Sequence, residues 1–314
     1  MDNDERKELI NAIETINAEY IALINSREYQ LGRRLINFIN DIKHFRVDKI
    51  VVRCFRFIRK KSADSILIKK EQSKDNMHNK TDELNALSNA SVTVYTCVTG
   101  GYDNIQPIIY HTPGFKYILI TDNPKIKPAG WEVISIPNYI IEMQLSNANI
   151  NRYIKMHPKE LFPDNDYTIY IDGKVQIISD LKELLLHTKC YYGIAMHRHR
   201  FRDDIYSEAQ ACIAYKKGDP NNIKKQMSKY KKEGMPEHFG MCEAAVIVCD
   251  LKNENAQKLL DSWWKEYLAS NSGRDQLAFP YLIWKKHRSI TDIGNLGDNI
   301  ETNPKFRMVG LHNG

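Results

Sequence analysis

The stretch from Tyr167 to Lys174 constrains the fold of this chain most strongly. Its first five residues are all aromatic or β-branched, which predicts a buried β-strand, and Asp172 and Gly173 follow directly. Ligands of open α/β sheets bind beyond the carboxyl ends of the strands, so Asp172 would reach a substrate or a metal-bound phosphate there. Gly173 would let the backbone approach closely because it has no Cβ atom. An ordinary Asp-Gly turn is the alternative, and this segment alone leaves it open.

The composition indicates a globular protein with a sizeable core. Of the 314 residues, 42% are hydrophobic and 10% are aromatic. A run of about 18 apolar residues, which would predict a transmembrane helix, does not occur, and the acidic start of the chain does not predict a secretory signal. The six cysteines form no Cys-x-x-Cys pair, which favours reduced core thiols over disulfides or zinc ligands. We therefore expect a cytoplasmic protein.

Residues 1–61 are predicted to form an amphipathic helical region, because apolar residues recur there at spacings of three and four. Such a region could act as a coiled coil and support a homodimer. Its second part, residues 42–61, carries eight lysines and arginines against the single acid Asp48. This part could lie on an anionic membrane surface at the inner face of the cell membrane, or it could be a solvated helix packed on its own domain or on a second copy. No nucleic-acid motif accompanies the charge, so nucleic acid is not an expected partner.

Residues 62–89 are polar and are predicted to be a linker, and residues 90–314 form the main domain. Predicted strands alternate with predicted helices through most of this domain. The alternation predicts an α/β fold with a mainly parallel sheet.

Several polar segments follow predicted strands of the main domain. Thr99, Gly100, Gly101 and Tyr102 follow the first strand, where a glycine turn would bring backbone N–H groups near a nucleotide, although neither a G-x-G-x-x-G motif nor a P-loop is present. Asp122 follows the second strand.

The basic segment 197–202 follows a strand predicted to end at Met196. Its charges would suit an anion such as a diphosphate, and His197 and His199 would share one strand face and could suit a metal. A solvated basic loop is the alternative.

Two later segments carry candidate catalytic groups. Glu243 comes just before a predicted strand, and Arg274, Asp275 and Gln276 open an apolar helix. An acid at a helix start often serves only as a cap or to complement the helix dipole.

Together these segments resemble a glycosyltransferase-like domain family that plant mucilage and pollen-tube proteins share with bacterial polysaccharide enzymes. The resemblance covers about residues 90–314, and the N-terminal segment Ser26–Arg33 is similar to helical extensions of bacterial surface-polysaccharide glycosyltransferases. The segments that carry it, in chain order, are Thr96–Asp103, Ile120–Asp122, Tyr170–Lys174, His197–His199, Gly240–Glu243 and Arg274–Gln276.

The resemblance implies a GT-A fold, which is a Rossmann-like, mainly parallel sheet flanked by helices, here preceded by an N-terminal helical extension. Asp172, Gly173 and Lys174 occupy the place of the family's Asp-x-Asp motif, with Lys174 replacing the second acid. Either Lys174 neutralises the leaving diphosphate without a metal, or Asp172 and His312 hold a divalent cation, Mn²⁺ or Mg²⁺. The implied donor-binding residues are Thr99, Gly100, Gly101, Tyr102, Asp122, Asp172, Gly173, Lys174, His197, Arg198, His199, Arg202, Gly240 and Arg274.

The expected function is transfer of a sugar from a nucleotide-sugar donor, with UDP as the nucleotide, to a glycan or lipid-linked acceptor in surface polysaccharide synthesis. Asp275 is the first choice for the general base of an inverting reaction and Glu243 the second, while Gln276 or Asp275 would flank the anomeric carbon in a retaining one. A nucleotidyltransferase is an alternative, which the Gly100–Asp103 turn disfavours. A non-catalytic scaffold that binds a membrane or a partner is another.

Overall fold

The computed structural model describes residues 82–309. The predicted helical region 1–61, most of the linker 62–89, and His312 lie outside the described residues. From Glu83 onward, the described residues belong to one compact unit.

A mixed β-sheet forms the centre of this unit. The strands are β1 (Val92–Val98), β2 (Phe115–Thr121), β3 (Glu132–Ser135), β4 (Tyr167–Ile171), β5 (Val175–Ile177), β6 (Ile194–Arg198), β7 (Cys242–Asp250), β8 (Gly294–Asn295) and β9 (Phe306–Met308). Seven of them pair in the order β3-β2-β1-β4-β7-β6-β8, and β7 alone runs antiparallel to its neighbours in this sheet. Strands β5 and β9 form a separate antiparallel pair. The predicted α/β fold with a mainly parallel sheet is confirmed.

Helices cover the sheet, and several of them begin at side-chain caps. The helices are α1 (Asn138–Glu142), α2 (Asn147–Met156), α3 (Pro158–Leu161), α4 (Ile205–Ala214), α5 (Pro220–Lys232), α6 (Glu254–Ser270) and α7 (Asp275–Lys285). Ser146, Asp204 and Asp219 cap α2, α4 and α5 through side-chain oxygens that accept backbone N–H groups of the first turn. Among the described helices, none combines the length and apolar character that crossing a membrane requires.

The core lies on both faces of the sheet because successive strand residues point to opposite sides. Tyr95 and Tyr170 point to the face that also buries Trp263 of α6. Val94 and Ile169 point to the other face. Burial on both faces explains why the central strands read as continuous apolar runs.

The strand directions bring the polar segments to one edge of the sheet. The carboxyl ends of β1, β2, β4 and β6 meet there, and the antiparallel β7 begins there. This carboxyl edge therefore brings together the glycine turn, Asp122, Asp172, the basic segment and Glu243.

Candidate functional site

The glycine turn after β1 is held rigidly between β2 and the start of α2. Gly100 and Gly101 both have left-handed backbone, with φ of 63° and 65°. The Gly100 N–H donates to Asp122 Oδ2 at 2.7 Å, and Thr99 Oγ1 donates to the Asn147 carbonyl at 2.8 Å. Asp122 therefore positions the turn whose backbone was predicted to approach a nucleotide. Tyr102, just beyond the turn, is exposed.

Asp172 lies at the same edge, in a tight turn after β4. Its N–H donates to the Ala245 carbonyl at 2.8 Å, and its carbonyl accepts the Val175 N–H at 2.9 Å. A Cβ atom on Gly173 would lie 2.8 Å from Val98 Cγ2, so the glycine is required for packing against the loop after β1. The prediction of an Asp-Gly turn is thus correct for the backbone, and Asp172 is half-buried at the carboxyl edge. We call the region just beyond this edge the crevice.

The described residues do not complete a cation site around Asp172. Within residues 82–309, the group with three ligand atoms within 4.8 Å of one another is Asp203, Asp204 and His238, without Asp172. In that group, His238 Nδ1 lies 2.9 Å from Asp203 Oδ1, and Asp204 is occupied in capping α4. The predicted metal ligation by Asp172 and His312 stays a prediction.

A buried cluster of charges lies beneath the crevice, and we call Arg152, Lys155 and Asp275 the buried triad. Lys155 Nζ and Arg152 Nε lie 3.0 Å and 3.2 Å from Asp275 Oδ2. Lys155 and Asp275 are each 4% exposed, whereas the Arg152 side chain is 24% exposed. Burial alone would raise the pKa of Asp275, but Arg152 and Lys155 hold that pKa well below its usual range.

Helix geometry and a tertiary contact build the buried triad. Arg152 and Lys155 are three residues apart on α2 and so share one helix face. Asp275 opens α7, and the Trp263 indole fixes it by donating to its carbonyl at 2.7 Å. Sequence reasoning missed Arg152 and Lys155 as site residues. The available signal was the position of Lys155 within the apolar run Tyr153–Met156.

Glu243 is a second carboxylate at the carboxyl edge, and its pKa is shifted in the opposite direction from that of Asp275. Its oxygens accept the backbone N–H groups of Arg200 at 3.1 Å and Ile300 at 3.2 Å. Burial raises its pKa, and these two N–H groups offset only part of that effect. Gln276 donates to the Cys242 carbonyl at 2.8 Å and thereby ties the start of α7 to the start of β7.

The basic segment is engaged in internal contacts. Strand β6 extends through Arg198, beyond the predicted end at Met196, so His197 is a fully buried strand residue. Its Nε2 lies 2.8 Å from Asn303 Nδ2, and burial lowers its pKa to about 4, which keeps it neutral. His197 therefore does not supply a positive charge to an anion, which corrects that part of the prediction, because pairing with β7 extends β6 to Arg198 and buries His197.

The other residues of the basic segment also have protein partners. Arg198 donates to the Ile293 carbonyl at 2.9 Å. Arg202 donates to Glu208 at 2.7 Å, and His199 Nε2 lies 3.4 Å from the same carboxylate. His199 lies beyond the end of β6 and does not share a strand face with His197.

Arg274 and Gly240 lie on the loops that flank these elements. Arg274 directly precedes α7, and its positive charge adds to the lowering of the Asp275 pKa. Gly240 has a φ of 107°, and its N–H donates to the Asp203 carbonyl at 2.6 Å. The donor-binding roles of Arg198, His199, Arg202, Gly240 and Arg274 stay predictions.

The sequence of this domain is similar to that of known proteins. A family model described as TOD1/MUCI70, glycosyltransferase-like domain, matches residues 119–300. The probable hexosyltransferase MUCI70 of Arabidopsis thaliana is 26% identical over 161 residues, covering 48% of this chain and 26% of that protein. The alkaline ceramidase TOD1 of Arabidopsis thaliana is 26% identical over 181 residues, covering 52% of this chain and 38% of that protein. The chain therefore spans well under half the length of these relatives.

Two solved structures are also similar to this chain. The apo structure of the WbbM bifunctional glycosyltransferase aligns with a TM-score of 0.41 and 13% identity, covering 66% of this chain and 39% of that chain. The apo structure of mouse xyloside xylosyltransferase 1 aligns with a TM-score of 0.36 and 12% identity, covering 63% of this chain and 82% of that chain. The family model, by contrast, covers more than half of this chain and confirms the resemblance inferred from its motifs. This chain belongs to the TOD1/MUCI70 glycosyltransferase-like domain family.

Proposed function

We propose that this chain transfers a sugar from a UDP-sugar donor to a glycan or lipid-linked acceptor during surface polysaccharide synthesis. Family membership supports glycosyl transfer in general. The observation that carries the proposal is the meeting of the Gly100 turn, Asp172 and Arg152 at the carboxyl edge. Burial alone would lower the pKa of Arg152, but Asp275 and Asp172 both raise it, so this member of the buried triad also interacts electrostatically with Asp172 at the carboxyl edge.

The chemistry requires a stabilised leaving group. The acceptor hydroxyl oxygen bonds to the anomeric carbon, and the bond from that carbon to the diphosphate oxygen breaks. The nucleoside diphosphate leaves with the electron pair, so positive charge at this position lowers the barrier. Arg152 is our candidate for this role because its side chain is 24% exposed and a guanidinium is a good partner for phosphate oxygens. Lys174 is the second cation that we assign to the diphosphate.

The acceptor hydroxyl must also lose its proton. We assign this proton to Glu243 in an inverting reaction, because a carboxylate with a raised pKa is a better matched general base. Asp275 is poorly suited, since its lowered pKa makes it a weak base and both its cationic partners hold it in place. We therefore assign Asp275 to orienting Arg152, as a positioning residue.

The cofactor, cellular location and assembly are parts of the proposal that depend on residues outside 82–309. A divalent cation would require His312 or donor oxygens in addition to Asp172. Residues 42–61 would hold the enzyme at the cytoplasmic face of a membrane, and residues 1–61 would mediate a homodimer.

A thermal-shift panel tests nucleotide binding. UDP, GDP, CMP and ADP are each added to the full chain with Mn²⁺ or with EDTA, since a ligand that binds only the native state raises the melting temperature. We expect UDP to give the largest rise, Arg152→Gln to remove most of it, and Arg152→Lys to restore part of it. Arg288→Gln, which changes an exposed arginine away from the carboxyl edge, is the matched control and should behave as wild type.

The outcomes of this panel separate the alternatives. A rise that survives EDTA would assign the diphosphate to Arg152 and Lys174 without a metal. A rise that requires Mn²⁺ would support a cation at Asp172. No response to any nucleotide, from folded protein, would contradict the transferase and favour the non-catalytic scaffold.

Release of UDP from a panel of UDP-sugars then tests catalysis. Glu243→Gln should lower the rate by about a hundredfold or more, in the range typical of general acid–base catalysis, while leaving UDP binding unchanged. A separate assay of ceramide hydrolysis tests the activity for which the TOD1 relative is named.

A further inference from the structure

A pocket with a volume of about 270 Å³ opens beside the carboxyl edge. It lies between the start of α2 and the loop that joins α6 to α7. Its walls include Ser146, Asn149, Asp219, Tyr267, Leu268 and Asn271.

The pocket offers both hydrogen-bond donors and acceptors. The Tyr267 hydroxyl donates to Asn149 Oδ1 at 2.9 Å, so the Nδ2 amide group of Asn149 can donate to a ligand. Asp219 uses Oδ1 to accept the Asn222 N–H at 2.7 Å, which leaves Oδ2 as an acceptor. The first backbone N–H groups of α2 add donors because helix starts leave them without intrahelical partners. Sugar hydroxyls both donate and accept, so they match this mixture.

The rest of the wall selects an uncharged ligand. Leu268 is 42% exposed and, with Ala148, provides an apolar surface for the C–H face of a sugar ring. The described lining contains a carboxylate and no lysine or arginine, so it does not offer the charge that an acidic sugar or a phosphate requires. The volume is slightly below the range of about 300–1,000 Å³ for drug-sized ligands, which suits a single sugar residue.

The same elements build this pocket and the proposed donor crevice. The Asn147 carbonyl at the start of α2 accepts the Thr99 hydroxyl of the glycine turn at 2.8 Å. On the other wall, Ser272 Oγ accepts the Arg274 N–H at 3.3 Å, directly before Asp275. A ligand in the pocket would therefore lie next to both the turn and the start of α7.

We infer that this pocket is an acceptor subsite for a neutral sugar residue. The inference rests on the proposed function for its role in transfer, whereas the binding of a neutral sugar is testable by itself.

The test is saturation-transfer NMR on the full chain with four neutral disaccharides, namely cellobiose, maltose, lactose and xylobiose, and with glucuronate as the acidic probe. Ala148→Trp fills the pocket from an exposed position of α2, and Ala214→Trp, at an exposed alanine of α4, is the matched control. Asp219→Asn removes the carboxylate while keeping a good helix cap, so it reports on recognition without a large loss of stability. Circular dichroism confirms the fold of each variant.

We expect at least one neutral disaccharide to bind wild type at millimolar concentration, and Ala148→Trp to weaken it about tenfold or more. Ala214→Trp should match wild type, and Asp219→Asn should weaken binding to a smaller degree. Binding that survives in Ala148→Trp, binding of glucuronate alone, or no binding of any neutral disaccharide would overturn the inference. The wild-type response to UDP is measured separately, so failure of the donor proposal and failure of the acceptor subsite give different results.

Discussion

Substitution of Asp275 by asparagine should destabilise the protein severely, because it leaves Lys155 and Arg152 as unbalanced charges. Asp275 and Lys155 are each 4% exposed and their charged atoms lie 3.0 Å apart. Removing one partner of a buried ion pair costs about 3–5 kcal/mol. Since the free energy of unfolding of a typical domain is about 5–15 kcal/mol, Asp275→Asn would remove about a fifth of it or more.

Urea unfolding followed by tryptophan fluorescence measures this loss, and Trp263 lies against the Asp275 backbone. With a slope of about 1–3 kcal/mol per molar urea, the unfolding midpoint should fall by roughly 1–5 M. Asp261→Asn, an exposed aspartate on α6, is the matched control and should change stability by less than about 0.5 kcal/mol.

A double variant tests whether the cost comes from the unpaired charge. Adding Lys155→Met to Asp275→Asn removes one of the two cations left without a carboxylate partner, so the double variant should be more stable than Asp275→Asn alone. The interpretation of the buried triad would be refuted if Asp275→Asn cost less than about 1 kcal/mol, or if the destabilising effects of the two substitutions were simply additive.

The same carboxylate gives stability a defined pH dependence. Because the folded-state pKa of Asp275 is lowered, its contribution to the free energy of unfolding is complete above the ordinary pKa of about 3.9 and is lost only as the pH falls through the lower folded value.

Three further predictions concern the crevice and the strand beside it. Gly100→Ala should be more destabilising than Gly101→Ala in urea unfolding, because both positions have positive φ but only the Gly100 Cβ would meet a neighbour, Asn147 Nδ2 at 2.5 Å; equal costs would contradict this. Asp122→Ala should reduce the UDP-induced rise in melting temperature by freeing the Gly100 N–H, and an unchanged rise would argue against nucleotide contact at the turn. The pKa of His197 is about 4 in the folded protein and about 6.5 in the unfolded chain, so as the pH falls the unfolded chain is protonated at His197 before the folded protein is. Stability should therefore decrease across that window by up to about 3 kcal/mol, and His197→Leu should lack this component when urea curves at pH 7 and pH 4.5 are compared.

Local pattern was enough to predict the strands and the groups at their ends. The segment Tyr167–Lys174 indicated a buried strand followed by Asp172, and the structure has β4 over Tyr167–Ile171 with Asp172 at the crevice. This succeeds because β-branched and aromatic runs carry the signal of a strand buried on both faces within a few residues. Strand β1 pairs in parallel with both β2 and β4, which places Asp122 and Asp172 at the same edge of the sheet.

The sequence by itself therefore determined the fold class and which edge of the sheet carries the polar residues. Tertiary structure decided how those residues are paired. Lys155 and Asp275 are separated by 120 positions, and only the packing of α6 against both α2 and α7 brings them into one buried ion pair. Likewise, the pairing of β6 with β7 buries His197, which local charge alone would place in solvent. The sequence specifies which residues are ionisable. Their pKa values and their partners depend on burial and distance, which only the folded structure determines.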